Sequence, residues 1–153
     1  MIDIKYIRLN RLVALIIFLI TFVIYFDTMA PTVSYWDCGE FIAVSHTLGV
    51  PHPPGSPFFL LLGRIFSMIP INEDIAFRVN IISPLVSALA VMLLYLTIVK
   101  VITHWRGKVK NLTDILIVFG AGAIGALTFA FTDSHWFNAV EAEVYAFSTF
   151  FTA

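Results

Sequence analysis

The chain has 153 residues, 59% of them hydrophobic and 15% aromatic, with 9 Lys+Arg, 10 Asp+Glu and a formal net charge of -1. Charged residues make up 12%, about half the share in an average soluble domain, so there is too little polar surface to cover a water-soluble core. A near-neutral total argues against nucleic acid, whose binders neutralise phosphates with excess basic residues. Cys38 is the only cysteine, which excludes a disulfide scaffold and a cysteine-based structural zinc site.

A helix crosses the hydrocarbon of a bilayer with about 20 residues at 1.5 Å each. Residues 12–30 form the first candidate span, apolar apart from Asp27 near its end. Asp27-Thr28-Met29-Ala30-Pro31 is a poor cleavage site, so a span is preferred over a cleaved signal peptide. Pro31 stops that helix, and Thr32 or Ser34 is expected to cap a second over 34–48, with Asp37 in its first turn. Asp37 and Glu40 are three apart and share one face of it. The prolines of Pro51-His52-Pro53-Pro54-Gly55-Ser56-Pro57 then hold the backbone extended, and Ser56-Pro57 reads as a cap and first helical position. The apolar run 58–69 is too short to cross and is expected to lie along the membrane surface, with Arg64 at headgroup level.

Asn72 is expected to cap a helix with Glu73 and Asp74 in its first turn, running through Arg78 into a second span over 79–99. A basic loop, 100–114, leads to a third span over 115–132, where Ala121/Gly125 and Gly122/Ala126 are small pairs suited to close helix packing. Residues 133–153 read as a capped helix start leading into a fourth span, with Trp136 and Tyr145 as interface anchors. Glu141 and Glu143, two apart, would point to different sides of that helix, so at most one is expected to face Asp37. The last run ends without a polar flank, as in a piece of a longer membrane protein.

Seven of the nine basic residues flank the first span's start or lie in 100–114, while eight of the ten acids fall in 27–78 or 133–153. Basic flanks stay cytoplasmic, which puts the N-terminus inside and the long loop 31–78 outside. The sequon at Asn111 then lies in the cytoplasm and escapes glycosylation.

The stretches Trp36-Asp37-Cys38-Gly39-Glu40-Phe41-Ile42, Leu48 through Pro57, Ala76-Phe77-Arg78-Val79-Asn80 and Trp136 through Tyr145 resemble, in order and over nearly the whole chain, the N-terminal region of the protein O-mannosyltransferase-like membrane family. An Asp-x-Gly-Glu and a His-Pro-Pro-Gly motif share the first exoplasmic loop of that family. The resemblance implies an all-α polytopic membrane protein, the N-terminal part of a GT-C-like transmembrane helix bundle with short amphipathic helices in its exoplasmic loop. It implies transfer of a mannose-like sugar from a polyprenyl-phosphate donor to a protein Ser/Thr or other hydroxyl acceptor. The Trp-Asp-Cys-Gly-Glu form is closer to bacterial members and implies a bacterial inner membrane.

On that resemblance Asp37 is the candidate base, with Glu40 orienting the acceptor or raising the basicity of Asp37; both also suit a plain helix start. Arg64 and Arg78 are candidates for the donor phosphate, with headgroup snorkelling as the alternative. His52, restrained by prolines, can face phosphate or acceptor or be held within its own turn. Glu141 or Glu143 can complete the site. Asp37, Glu40, His52 and His135 do not show a diagnostic ligand spacing, which leaves a divalent ion open. Cys38 reads as a packed side chain without an activating neighbour. A transporter or channel subunit is the competing class, disfavoured because the spans are nearly free of ionisable residues.

Overall fold

The computed structural model describes residues 4–107, 109 and 111–153, and every regular element among them is a helix. Asp3, Lys108 and Lys110, which contribute to the charge bias, lie outside the described residues. Three helices are long and apolar enough to cross a membrane: α1 (Ile4–Asp27), a pair that reads as one span, α4 (Ile75–Asn80) with α5 (Ile82–Arg106), and α6 (Leu112–Ala130). Each overruns the expected span on its basic side, because helix continues past the hydrocarbon edge where backbone bonding costs nothing extra and charged side chains are solvated. On the acidic side α1 stops at Asp27 rather than 30, and α6 at Ala130 rather than 132.

The second span is not continuous with the helix before it. α4 and α5 are separated at Ile81, and the cause is Pro84. It has no N–H for the carbonyl of Asn80, and its ring crowds that same carbonyl. The cap of α4 also differs from expectation: Asp74, not Asn72, is the N-cap and accepts from the Ala76 N–H at 2.8 Å, while Asn72 Oδ1 accepts from the Asp74 N–H at 2.8 Å and forms the turn before it. Asn111 caps α6 by accepting from the Asp114 N–H at 2.8 Å.

α1, α5 and α6 pack side by side around Ile17, Tyr25, Val91, Tyr95, Val118 and Ala126. In lipid the drive for this is close packing and hydrogen bonding rather than exclusion of water. Gly122 supplies the close approach: a Cβ there would stand 2.8 Å from Val99 and 3.1 Å from the Tyr95 ring. Of the two expected small pairs, Gly122/Ala126 is buried against α5, whereas Ala121 is exposed. Tyr25 donates to the Ala130 carbonyl at 2.7 Å, tying the acidic-side ends of α1 and α6.

A second core sits at that same end, built from α2 (Cys38–Thr47), α3 (Pro57–Met68), the α4–α5 junction and α8 (Tyr145–Thr152), around Phe41, Phe59, Leu60, Val79, Ile82 and Phe147. α2 begins later than expected. Neither Thr32 nor Ser34 caps it, and Asp37 itself occupies the N-cap position without a side-chain cap hydrogen bond. α3 is amphipathic over 12 residues, and its Phe58, Leu61, Ile65 and Met68 form an exposed apolar stripe at helical spacing, as suits a helix lying on a membrane surface. α7 (Asp133–Ala139) and α8 are separate: residues 140–144 between them are not helical. The continuous helix start expected over 133–153 is thus broken, and the argument that Glu141 and Glu143 diverge does not apply.

Candidate active site

The turn before α2 and the proline segment before α3 converge on one cluster. Trp36, in a left-handed conformation at φ 59°, turns the chain sharply into α2. Such a conformation is strained for a bulky residue. Asp37 follows at the N-cap and Glu40 one turn on. The proline segment places His52 across from both. Glu40 holds His52 twice: Oε1 accepts from the His52 backbone N–H at 2.8 Å and Oε2 from Nδ1 at 2.6 Å. Because a carboxylate only accepts, Nδ1 carries the proton, and the opposite ring nitrogen, Nε2, lies 3.9 Å from Asp37 Oδ2. The Phe41 ring packs against the imidazole with centroids 5.9 Å apart.

The electrostatics follow from this geometry. The hydrogen bond from Glu40 raises the pKa of His52 above its ordinary value, with the Glu40 and Asp37 charges adding to it, while burial opposes. The same bond holds the Glu40 carboxyl below its ordinary value. The pair is therefore imidazolium and carboxylate over a wider pH range than either alone. Both Glu40 oxygens are occupied by His52. Asp37, whose side chain is 58% exposed against 37% for Glu40, is the carboxylate open to an incoming group. Asp37, Glu40 and His52 each offer one ligand atom, all within 4.8 Å of one another. A divalent ion held between Nε2 and Asp37 would leave the Nδ1–H···Glu40 bond in place and need only the loss of the Nε2 proton of the imidazolium. His135, the fourth residue of the metal set considered from sequence, is elsewhere: it is buried against Phe129 and Tyr25.

The segment after α7 carries two buried glutamates. Glu141 and Glu143 are 2% and 6% exposed. Glu141 Oε2 accepts from the Ser34 hydroxyl, and its Oε1 is buried without a partner. Burial pushes the Glu143 carboxyl up, and the nearby charges of Glu141 and Asp37 add to this, against the opposing effects of the Val144 backbone and His52. The fields of Glu141 and Glu143 also reach Cys38, whose thiol is pushed up, chiefly by burial. Both glutamates are buried, and of the two Glu143 is the one whose field Asp37 and His52 feel.

The two arginines proposed for a phosphate lie away from this cluster and bond to backbone carbonyls. Arg64 donates to the His46 carbonyl at the far end of α2 from Asp37. Arg78 donates to the carbonyls of Asn72, Ser67 and Glu73, lacing the turn between α3 and α4. Neither contacts the Asp37–Glu40–His52 cluster. The residue that sequence reasoning passed over is Asn80. It is fully buried, its amide donates to the Ala30 and Thr32 carbonyls at 2.9 Å each, and its Oδ1 accepts from Cys38 at 3.7 Å. It thereby fixes the start of the loop that carries Asp37. A signal was present in a lone amide four residues before a proline at the mouth of an apolar span.

Three candidate membrane-crossing helices, with a carboxylate–imidazole cluster gathered at one end, define an integral membrane protein. Residues 37–153 match the family described as "Protein O-mannosyl-transferase TMEM260 N-terminal domain", and the chain belongs to that family. It is 33% identical over 141 residues to a "Protein O-mannosyl-transferase tmem260" from Dictyostelium discoideum, a match covering 90% of this chain and 15% of the relative. It is 32% identical over 116 residues to "Protein O-mannosyl-transferase TMEM260" from Mus musculus, covering 75% of this chain and 14% of the relative. The chain thus spans about a seventh of the length of these relatives. No solved structure matches.

Proposed function

We propose that this chain carries the catalytic surface of a membrane mannosyltransferase of GT-C type, which moves a mannose-like sugar from a polyprenyl-phosphate donor to a hydroxyl, chiefly protein Ser/Thr. The observation that carries the reading is the Asp37–His52–Glu40 cluster: an open carboxylate beside an imidazole that a second carboxylate holds rigidly. The names of the relatives support the sugar and the reaction.

In this reading the acceptor oxygen attacks the anomeric carbon as the bond from that carbon to the phosphate oxygen breaks. The hydroxyl proton passes to Asp37, and the bonding pair leaves with polyprenyl phosphate. Glu40 acts through His52, fixing the ring by its two bonds. The imidazolium Nε2–H is the cation nearest Asp37 and suits the leaving phosphate. Glu141 and Glu143 are buried acids, Glu143 within reach of Asp37 and His52. Basic flanks favour a cytoplasmic N-terminus and an exoplasmic site. The Trp36–Glu40 form favours a bacterial inner membrane, while the two relatives compared are eukaryotic; the mechanism needs only the sidedness.

The test uses purified full-length protein with a mannosyl polyprenyl phosphate and a Ser/Thr peptide. Asp37→Asn is expected to lower transfer by at least about 10²-fold, the usual contribution of a positioned base, with thermal stability unchanged. Wild-type transfer by Asp37→Asn would remove Asp37 from the base role, and no transfer by the wild type would favour the transporter reading.

A further inference from the structure

At the opposite end of the bundle, the first turns of α1 and the last turns of α5 enclose a groove of about 500 Å³. Tyr6 and Thr103 close it from one side through a 3.2 Å hydroxyl contact. Its lining is mainly apolar, with Ile7, Leu96 and Val99 contributing, yet Arg11, Lys100 and His104 also line it. All three are exposed, and among the described residues none of them has a hydrogen-bond or ion-pair partner. Asn10, in the same groove, has a buried amide oxygen that accepts from nothing in the protein.

The depth of these groups is set by helix geometry. Arg11 is sixteen residues before Asp27, and Lys100 sixteen after Pro84, so each lies about 24 Å along its helix from the end that carries the Asp37 cluster. That is close to the hydrocarbon thickness of about 30 Å, which puts both cations at headgroup level of the other leaflet. A mainly apolar groove that opens onto two unpaired cations at headgroup depth is complementary to one occupant: a lipid with a negative headgroup.

We propose that the α1–α5 groove binds an anionic phospholipid of the leaflet opposite the Asp37 cluster. Its phosphate is held between Arg11 and Lys100, a headgroup hydroxyl reaches Asn10, and an acyl chain lies against Leu96 and Val99. This site is independent of the sugar-transfer reading, and its residues take no part in that chemistry.

The experiment is native mass spectrometry of the full-length protein in detergent, with phosphatidylglycerol and phosphatidylcholine of the same chains and with inorganic phosphate. Phosphatidylglycerol is expected to be retained at least about tenfold more tightly than phosphatidylcholine. The Arg11→Gln/Lys100→Gln variant should lose that preference while keeping its thermal stability, because both residues are exposed. Leu96→Trp, which fills the groove without changing charge, should weaken phosphatidylglycerol as well. Equal retention of the two lipids, an unchanged preference in the double variant, or binding of inorganic phosphate as tight as that of the lipid would each overturn the proposal. So would crosslinking of Lys100 to another span of the full-length protein in place of lipid.

Discussion

The contact between α2 and α3 offers a sharp test of how the Asp37 cluster is held. A Cβ placed on Gly63 would stand 2.3 Å from Ser45 Oγ and 2.7 Å from Ser45 Cβ. Ordinary van der Waals contact begins at about 3.4 Å, so Gly63→Ala must open the crossing by about 1 Å or force a comparable backbone shift. Overpacking of this kind costs about 1–3 kcal/mol. Because α2 carries Asp37 and Glu40, an ångström of displacement is also expected to lower transfer by about 10²-fold. The geometry predicts a graded rescue. Ser45→Ala removes the 2.3 Å clash and leaves the 2.7 Å one. Since Ser45 Oγ is buried without a partner, that change alone should be neutral or stabilising. Ser45→Gly removes both clashes at a helix-propensity cost of about 1 kcal/mol. Thermal unfolding and transfer rate, measured on Gly63→Ala alone and with each Ser45 variant, should therefore recover in the order Ala then Gly. A Gly63→Ala protein as stable and active as wild type, or rescue by neither Ser45 variant, would refute the claim that this crossing positions the site.

Other expectations follow from single contacts. Glu40 raises the pKa of His52 and His52 lowers that of Glu40, so their pair stabilises the fold fully between the ordinary values of about 4.3 and 6.5. That contribution fades as pH falls through the lowered Glu40 value or rises through the raised His52 value. Glu40→Gln should move the His52 titration, followed by NMR of labelled histidine, to lower pH; an unmoved titration would contradict the assigned bond. Burial raises the Glu143 carboxyl, so its ionisation opposes folding above about pH 4.3. Glu143→Gln should raise the melting temperature at pH 8 and leave it unchanged at pH 4, whereas a loss at pH 8 would mean that the charge is stabilising. Asn80→Ala strands the Ala30 and Thr32 carbonyls and should cost about 2–4 kcal/mol, measured by chemical denaturation in detergent; a cost under 0.5 kcal/mol would show that the loop is held by other contacts.

The membrane class, the three long apolar helices and the short apolar helix α3 were legible because they depend on local composition. Twenty uncharged residues form a helix in lipid whatever surrounds them, since backbone groups there must bond to one another. Asp37, Glu40 and His52 were legible as candidates for a related reason: carboxylates beside a proline-restrained histidine stand out in a chain with 12% charge. Their juxtaposition was not, because it depends on how the proline segment folds back over α2. Asp74, two residues after Asn72, became the cap of α4 while Asn72 bonded the Asp74 N–H in the turn before it, and only the tertiary course of that turn decides which of the two starts the helix. The glutamates show the limit most clearly. Helical periodicity set Glu141 and Glu143 apart, yet a break at 140–144 buries both, Glu141 against Ser34 and Glu143 within reach of Asp37 and His52, and nothing local in Ala139-Val140-Glu141-Ala142-Glu143 announces it. Arg64 and Arg78 were candidates for a fork to phosphate, and the fold places their side chains against backbone carbonyls away from Asp37. By itself the sequence determined which residues could do chemistry and which segments could live in lipid. Only the tertiary structure decided which of those residues meet, because that is a matter of loops, whose course is set by long-range packing and hydrogen bonds such as those of Asn80.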